Sequence, residues 1–205
     1  MSLTAEKKRA ALLQAALELF AEKGFNGCST ALIAKRAGVA SGTLFFHFNT
    51  KEALIHALFS EVKSKVGRRV LATFSEDMPL RERLLGILTN LLRYFLVHPA
   101  EFIFLEQYHY SPLAPRDNAL GEEDKFLKNL LLQAREKNLV KNAPLQCLEA
   151  LALGPIVALI KAHINRGVPV DETVIRPTIA ACWDGLSILP PHDRHASEDH
   201  EGLQQ

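Results

Sequence analysis

The run Ser29-Thr30-Ala31-Leu32-Ile33-Ala34-Lys35-Arg36-Ala37-Gly38-Val39-Ala40-Ser41-Gly42-Thr43-Leu44-Phe45-Phe46-His47 decides the reading of this chain. It divides into two short helical stretches, 30–37 and 41–47, around the turn Gly38-Val39-Ala40. Ser29 or Thr30 can cap the first stretch and Ser41 the second, because a hydroxyl oxygen accepts from a first-turn N–H that has no partner in the helix. Gly38 admits the positive φ that a sharp turn often needs. Ala34 is small where two crossing helices must approach, and Ile33 and Leu44 supply the apolar contact between them. Two helices of about two turns joined by a three-residue turn form a helix-turn-helix. Thr43, Phe46 and His47 are left for the outer faces of the second helix.

The pattern continues on both sides. Residues 5–23 carry Leu13, Ala16, Leu17 and Phe20 at helical spacing, opened by Thr4 and stopped by Gly24. Asn49-Thr50 breaks the chain and recaps it, and Lys51 starts a long helix reaching about Phe74. Helices are predicted at 79–97, 100–110, 122–138, 144–166 and 171–189, with a loop at 113–121. No strand pattern or repeat is seen. The predicted fold is all-α: a helix-turn-helix head over 1–50, a helical body over 51–189, and a polar, His-rich tail over 190–205 that is expected to be disordered.

Composition narrows the class. Apolar residues make up 48% of the 205, enough for a sizeable core. The longest apolar run, Ala150 to Ile160, is 11 residues and holds Gly154 and Pro155, too short to span a bilayer. No signal peptide is read, so a cytoplasmic protein without membrane association is expected. The net charge of +1 hides an asymmetry. Residues 1–51 hold seven Lys/Arg against three Glu, a net of +4, and the remainder carries −3. That concentration suits a polyanionic partner. Cys28, Cys147 and Cys182 have neither disulfide nor metal-ligand spacing, and no metal or cofactor is expected. There is no nucleophile-base-acid ordering and no Gly-rich phosphate loop, so an enzyme is not expected.

Several head residues have the chemistry of phosphate anchors. Helix starts at Ser29, Thr30 and Ser41 present backbone N–H groups to an anion. Lys35 adds charge on the first short helix. Lys51 sits in the first turn of its own helix, where the macrodipole disfavours a cation unless an external anion lies near. Such contacts position a protein on a duplex without reading its sequence.

The order Leu13-x-x-Ala16-Leu17-x-Leu19-Phe20-Ala21-x-x-Gly24-Phe25, then Ser29-Thr30-x-x-Ile33-Ala34-x-x-Ala37-Gly38-Val39, then Ser41-Gly42-Thr43-Leu44-Phe45-x-His47-Phe48-x-x-Lys51-Glu52-x-Leu54 resembles the DNA-binding domain of TetR-family repressors. The resemblance covers about residues 10–58, in register across three helices. It implies an all-α homodimer that binds palindromic operator DNA and responds to a small-molecule effector. It also implies that the second short helix enters the major groove, bringing Gly42 and Thr43 to bases or backbone. Position 45 is usually Tyr in this family, with its hydroxyl on a phosphate. Here it is Phe45, so that contact is absent or replaced by His47. Phe46 either packs on thymine methyls or is buried.

The body carries no motif as sharp. The resemblance implies a dimer interface on the last two long helices, and Leu148, Leu151, Ala152, Ile156 and Leu159 cover an arc too wide for an ordinary surface helix. His163 is expected there as a hydrogen-bonded interface residue. After Pro99, Phe102, Tyr108, His109 and Tyr110, joined by Phe95 and Trp183, either line an apolar pocket with polar handles or form core. Glu106 in that run needs a partner, either Arg93 or a cationic ligand. The leading expectation is a repressor released from its operator by an apolar or aromatic ligand. An activator of the same architecture and a DNA-binding dimer that senses nothing are the other readings.

Overall fold

A computed structural model describes residues 4–72, 74, 75, 77–114 and 122–188; the side chains of 122–125 are not described, and the predicted tail lies outside. The described residues form helices and no strand beyond one isolated bridge, Val140 to Ser187. The helices are α1 (Ala5–Lys23), α2 (Thr30–Arg36), α3 (Ser41–His47), α4 (Lys51–Leu71), α5 (Leu80–Val97), α6 (Pro99–His109), α7 (Glu122–Glu136), α8 (Leu145–Arg166) and α9 (Glu172–Leu186). The all-α expectation stands, and each element lies within a few residues of its expected place.

The chain packs as two compact units. One comprises Met1–Ala72 with Arg93–Glu123, the other Thr73–Leu92 with Asp124–Gln205. In the first unit, α1 buries Leu12, Leu13, Ala16, Leu19 and Phe20, and α4 buries Leu54, Ile55, Leu58 and Val62. The aromatic helix α6 fills the space beside them. Phe104 stacks at 6.2 Å from Phe20 and meets Phe25 edge-on at 5.8 Å. Tyr108 lies flat on Phe59, with ring centroids 3.9 Å apart, and its hydroxyl bonds His56 Nδ1 at 2.9 Å. Gln107 Nε2 donates to the Phe20 carbonyl at 2.9 Å, closing the end of α1.

One polar group is deep in this unit. Glu101 is 4% exposed. Its carboxylate accepts from Lys65 Nζ of α4 at 2.6 Å and from the Tyr94 hydroxyl of α5 at 2.5 Å. Burial first, then the bond to Glu101, pushes the Tyr94 hydroxyl well above the usual tyrosine range. A buried carboxylate is tolerated only when such partners satisfy it, so this clasp ties three helices through one side chain.

In the second unit, α8 buries the stripe Leu148, Ala152, Ile156 and Ile160, and α9 buries Ile175, Ile179, Cys182 and Leu186. Burial raises the Cys182 thiol to about 11, which keeps it protonated and unreactive. Gly185 of α9 lies against Leu151 of α8: a Cβ there would be 3.6 Å from Leu151 Cδ2. Gly167, at φ 64°, ends α8, with its N–H on the His163 carbonyl.

Glu101→Ala should lower unfolding stability by about 1–3 kcal/mol, because it strands two partly buried donors. Urea denaturation checks this; an unchanged midpoint would mean that Lys65 and Tyr94 turn to solvent at no cost.

Candidate nucleic-acid interface

Local chemistry sets the geometry of α2 and α3. Ser29 caps α2, its Oγ accepting from Leu32 N–H at 3.2 Å. The helix closes with paired bonds, Gly38 N–H to Lys35 O at 3.2 Å and Val39 N–H to Ala34 O at 3.0 Å. This is a Schellman ending, which needs a left-handed residue, and Gly38 supplies it with φ 68°. Ser41 is not the cap of α3, as the sequence suggests. It is the first helical residue; Ala40 precedes it in extended geometry, with no side-chain cap, and its carbonyl accepts from Thr43 N–H at 2.9 Å. The side-chain oxygen of Ser41 is thereby not spent on the helix start. Ile33, Ala34 and Leu44 are buried between the helices and α1.

What remains outside is chemically distinctive. Phe46 is 79% exposed and Phe45 50%. Thr30, Thr43 and His47 are half-buried, while Ser29, Lys35, Ser41 and Gly42 are exposed. The His47 ring lies between Phe46 at 5.2 Å and Phe48 at 6.2 Å. A Cβ at Gly42 would meet nothing within 4 Å, and its backbone is ordinary helix. Nothing among the described residues therefore requires glycine at 42.

The basic residues divide by role. Arg36 reaches Glu22 at 3.3 Å and Glu18 at 3.5 Å, pinning α2 to α1. Lys51 Nζ donates to the Phe25 carbonyl, at half-buried depth. That bond joins the start of α4 to the turn after α1. Cys28 is buried, with Sγ on the Leu19 carbonyl at 3.1 Å and its thiol raised by burial, which fits a structural residue.

The aromatic residues proposed for ligand binding are distributed unevenly. Phe102 meets Phe95 edge-on at 5.4 Å, both buried, and Tyr108 is buried on Phe59. His109 and Tyr110 are exposed, and Glu106 is half-buried. Trp183 belongs to the second unit, where the Arg81 guanidinium lies 5.1 Å over its ring. The carboxylate that sequence reasoning missed is Glu101. Its position in the first turn of a helix opened by Pro99 reads as an ordinary helix start. Its partners, 36 and 7 residues away, leave no mark in the sequence.

Of the residues expected at an interface on α8, Leu148, Ala152 and Ile156 are fully buried within the chain. Leu151, Leu159 and His163 are half-buried, and His163 Nδ1 donates to the Val168 carbonyl at 2.8 Å. Uncovered apolar positions include Cys147, Ala150, Gly154, Pro155 and Ala158 on α8, and Pro177 and Ala181 on α9. Among the described helices, α8 alone is long and apolar enough to cross a membrane, but it carries its buried stripe against the chain.

Comparison with known proteins agrees with this architecture. Residues 12–58 match the family profile of bacterial regulatory proteins of the tetR family, and residues 79–187 match that of tetracyclin repressor-like C-terminal domains. A crystal structure of a TetR family transcription regulator from Marinobacter aquaeolei VT8 is 27% identical with a TM-score of 0.81, covering 89% of this chain and 96% of that one. A putative tetR family regulator from Shewanella sp. PV-4 is 28% identical with a TM-score of 0.78, covering 89% and 99%. The HTH-type transcriptional regulator UidR of Escherichia coli K12 is 40% identical over 78 residues, which is 38% of each protein. The chain thus spans well under half of UidR's length.

The two glycines of the helix-turn-helix should respond oppositely to alanine. Gly38→Ala forces a left-handed alanine and should cost about 1 kcal/mol. Gly42→Ala should be neutral or stabilising by about 0.5–1 kcal/mol, through helix propensity. Thermal or urea unfolding of the two variants distinguishes them; equal losses would mean that Gly42 is also structural.

Proposed function

The chain belongs to the TetR family of bacterial transcription regulators, and we propose that it acts as a homodimeric repressor that binds a palindromic operator through α3 and is released by a small apolar or aromatic effector. The observation that carries the DNA-binding part is the outer face of α3. Two exposed phenyl rings lie beside a glycine that nothing among the described residues requires. In the family the Tyr at position 45 offers a phosphate contact; this chain lacks that hydroxyl. Phe46 is instead positioned to meet thymine methyl groups in the major groove. Ser29, Thr30, Ser41 and Lys35 hold the backbone, and Thr43 and His47 flank the reading face. Lys51 acts less by touching phosphate than by fixing where α4 begins. On this reading residues 1–50 are the DNA-binding head and 51–189 the sensing and dimerising body.

Release requires that a conformer with the wrong head spacing bind the effector better. Two heads on successive major-groove faces stand about 34–36 Å apart. The helix that carries the head is α4, and the Glu101 clasp joins it to α5 and α6. An effector that shifts α6 therefore shifts α4. The aromatic residues around Phe95, Phe102, Glu106 and Tyr108 are the proposed sensing region, with Trp183, His109 and Tyr110 as further candidates.

For the dimer we propose the open face of α8 and α9, with Gly154, Pro155, Ala158, Pro177 and Ala181 at its centre and Leu151 and Leu159 beside them. Small residues let two helix pairs approach closely across a two-fold axis.

Selection from random duplexes at physiological salt should enrich a palindrome with half-sites one helical turn apart. Replacing the thymines nearest α3 by deoxyuridine should weaken binding of the unmodified protein, and much less so that of Phe46→Ala. Enrichment of no sequence by a folded dimer would sink the operator reading, and indifference to deoxyuridine would remove the methyl contact.

Ala158→Glu should give a folded monomer that has lost most operator affinity. A dimer persisting in analytical ultracentrifugation would move the interface elsewhere.

A further inference from the structure

Of the large apolar side chains described, Phe46 is the most exposed, at 79%. Phe45, half-exposed, precedes it. A single apolar residue in water needs no explanation, but two in succession on the second helix of a helix-turn-helix do. The head around them, residues 1–51, carries a net charge of +4, the footprint of a polyanionic partner. The Phe46 ring does not fold back on its own helix. A Cβ at Gly42, one turn earlier on the same face, would have nothing within 4 Å. Its ring contact is edge-on with His47, centroids 5.2 Å apart. The chain thus leaves most of this phenyl surface in water, which is unfavourable until something apolar covers it.

What such a ring can read is limited. A phenyl group has neither a hydrogen-bond donor nor an acceptor. In the major groove each base pair offers polar atoms and, where thymine stands, the C5 methyl group. Arg, Asn and Gln distinguish the pairs through the polar atoms, whereas a phenyl ring gains by covering the methyl. The group next to that methyl is the O4 acceptor in thymine and the N4 amino donor in cytosine, and the ring forms no hydrogen bond with either. Cytosine methylated on C5 presents the same apolar group at the same place in the groove. Nothing in the chemistry of Phe46 separates the two bases.

We propose that Phe46 recognises the C5 methyl group as such, so that 5-methylcytosine in a C·G pair gains from it as thymine does in a T·A pair. The inference rests on the reading that α3 enters the major groove. Preference between the two pairs then belongs to neighbours with hydrogen-bonding groups, Thr43 and His47, while Phe46 adds the same increment to either pair. An operator with cytosine facing Phe46 is bound more tightly once that base is methylated. Its occupancy follows the methylation state of the DNA as well as the effector.

The test uses the full chain and the palindrome selected from random duplexes. Each pyrimidine of a half-site is made in turn thymine, deoxyuridine, 5-methylcytosine or cytosine, opposite its own purine partner. Anisotropy titration then gives two methyl increments, thymine over deoxyuridine and 5-methylcytosine over cytosine. Within each comparison the hydrogen-bonding pattern is unchanged, so other contacts cancel. At the position facing Phe46 both increments should be roughly fourfold, the worth of one buried methyl group. Both should vanish in Phe46→Ala, whose exposed position leaves the unfolding midpoint unchanged. A thymine increment without a cytosine increment would overturn the inference and leave the operator reading with its thymine contact. No increment at any position would remove the methyl contact itself. Increments that persist in Phe46→Ala, or that arise equally at every cytosine, would assign the effect to another residue or to DNA shape and overturn the role of Phe46.

Discussion

A helix of seven residues does not persist alone in water, because the cost of nucleation is not recovered in two turns. Both α2 and α3 have that length, so the whole outer face of the helix-turn-helix exists only because it is packed. Ile33, Ala34 and Leu44 hold it from below, the Arg36 ion pairs hold α2 to α1, and Lys51 ties the next helix to the Phe25 carbonyl. The exposed ion pairs add little individually; the buried contacts carry the arrangement. α1 is in turn secured at its C-terminal end by α6, through Phe104 and the Gln107 bond to Phe20. The outer face of the helix-turn-helix thus depends, through α1, on an aromatic helix whose Gln107 lies 87 residues beyond the Phe20 carbonyl it holds.

Such dependence explains what could be read from the sequence. The helices were legible because their signals are local: Thr4, Ser29 and Thr50 cap as their types suggest, and Gly24, Gly38 and Gly167 stop helices with positive φ. The family was legible because a dozen head residues keep their register over three helices. Ser41 misled because a serine near a helix start satisfies the same rule at the cap or one residue later. Only the backbone angles at Ala40 distinguish the two.

Longer-range matters were not legible. The apolar arc of α8 pointed to a covered helix, but not to which side the chain itself covers. Leu148, Ala152 and Ile156 differ from Pro155 and Ala158 only in rotation about the axis, and nothing local records where α9 will lie. Carboxylates posed the same difficulty. Glu106 stood out for its aromatic neighbours, whereas Glu101, at an unremarkable helix start, is the one that the fold buries between Lys65 and Tyr94.

Phe45 and Phe46 present two phenyl rings to water on α3. Hydrated apolar surface has a large heat capacity, and whatever covers the rings abolishes it. Association through this face is therefore accompanied by a negative heat-capacity change beyond that of a purely ionic contact. Its enthalpy becomes more favourable as temperature rises, while its entropy becomes less so.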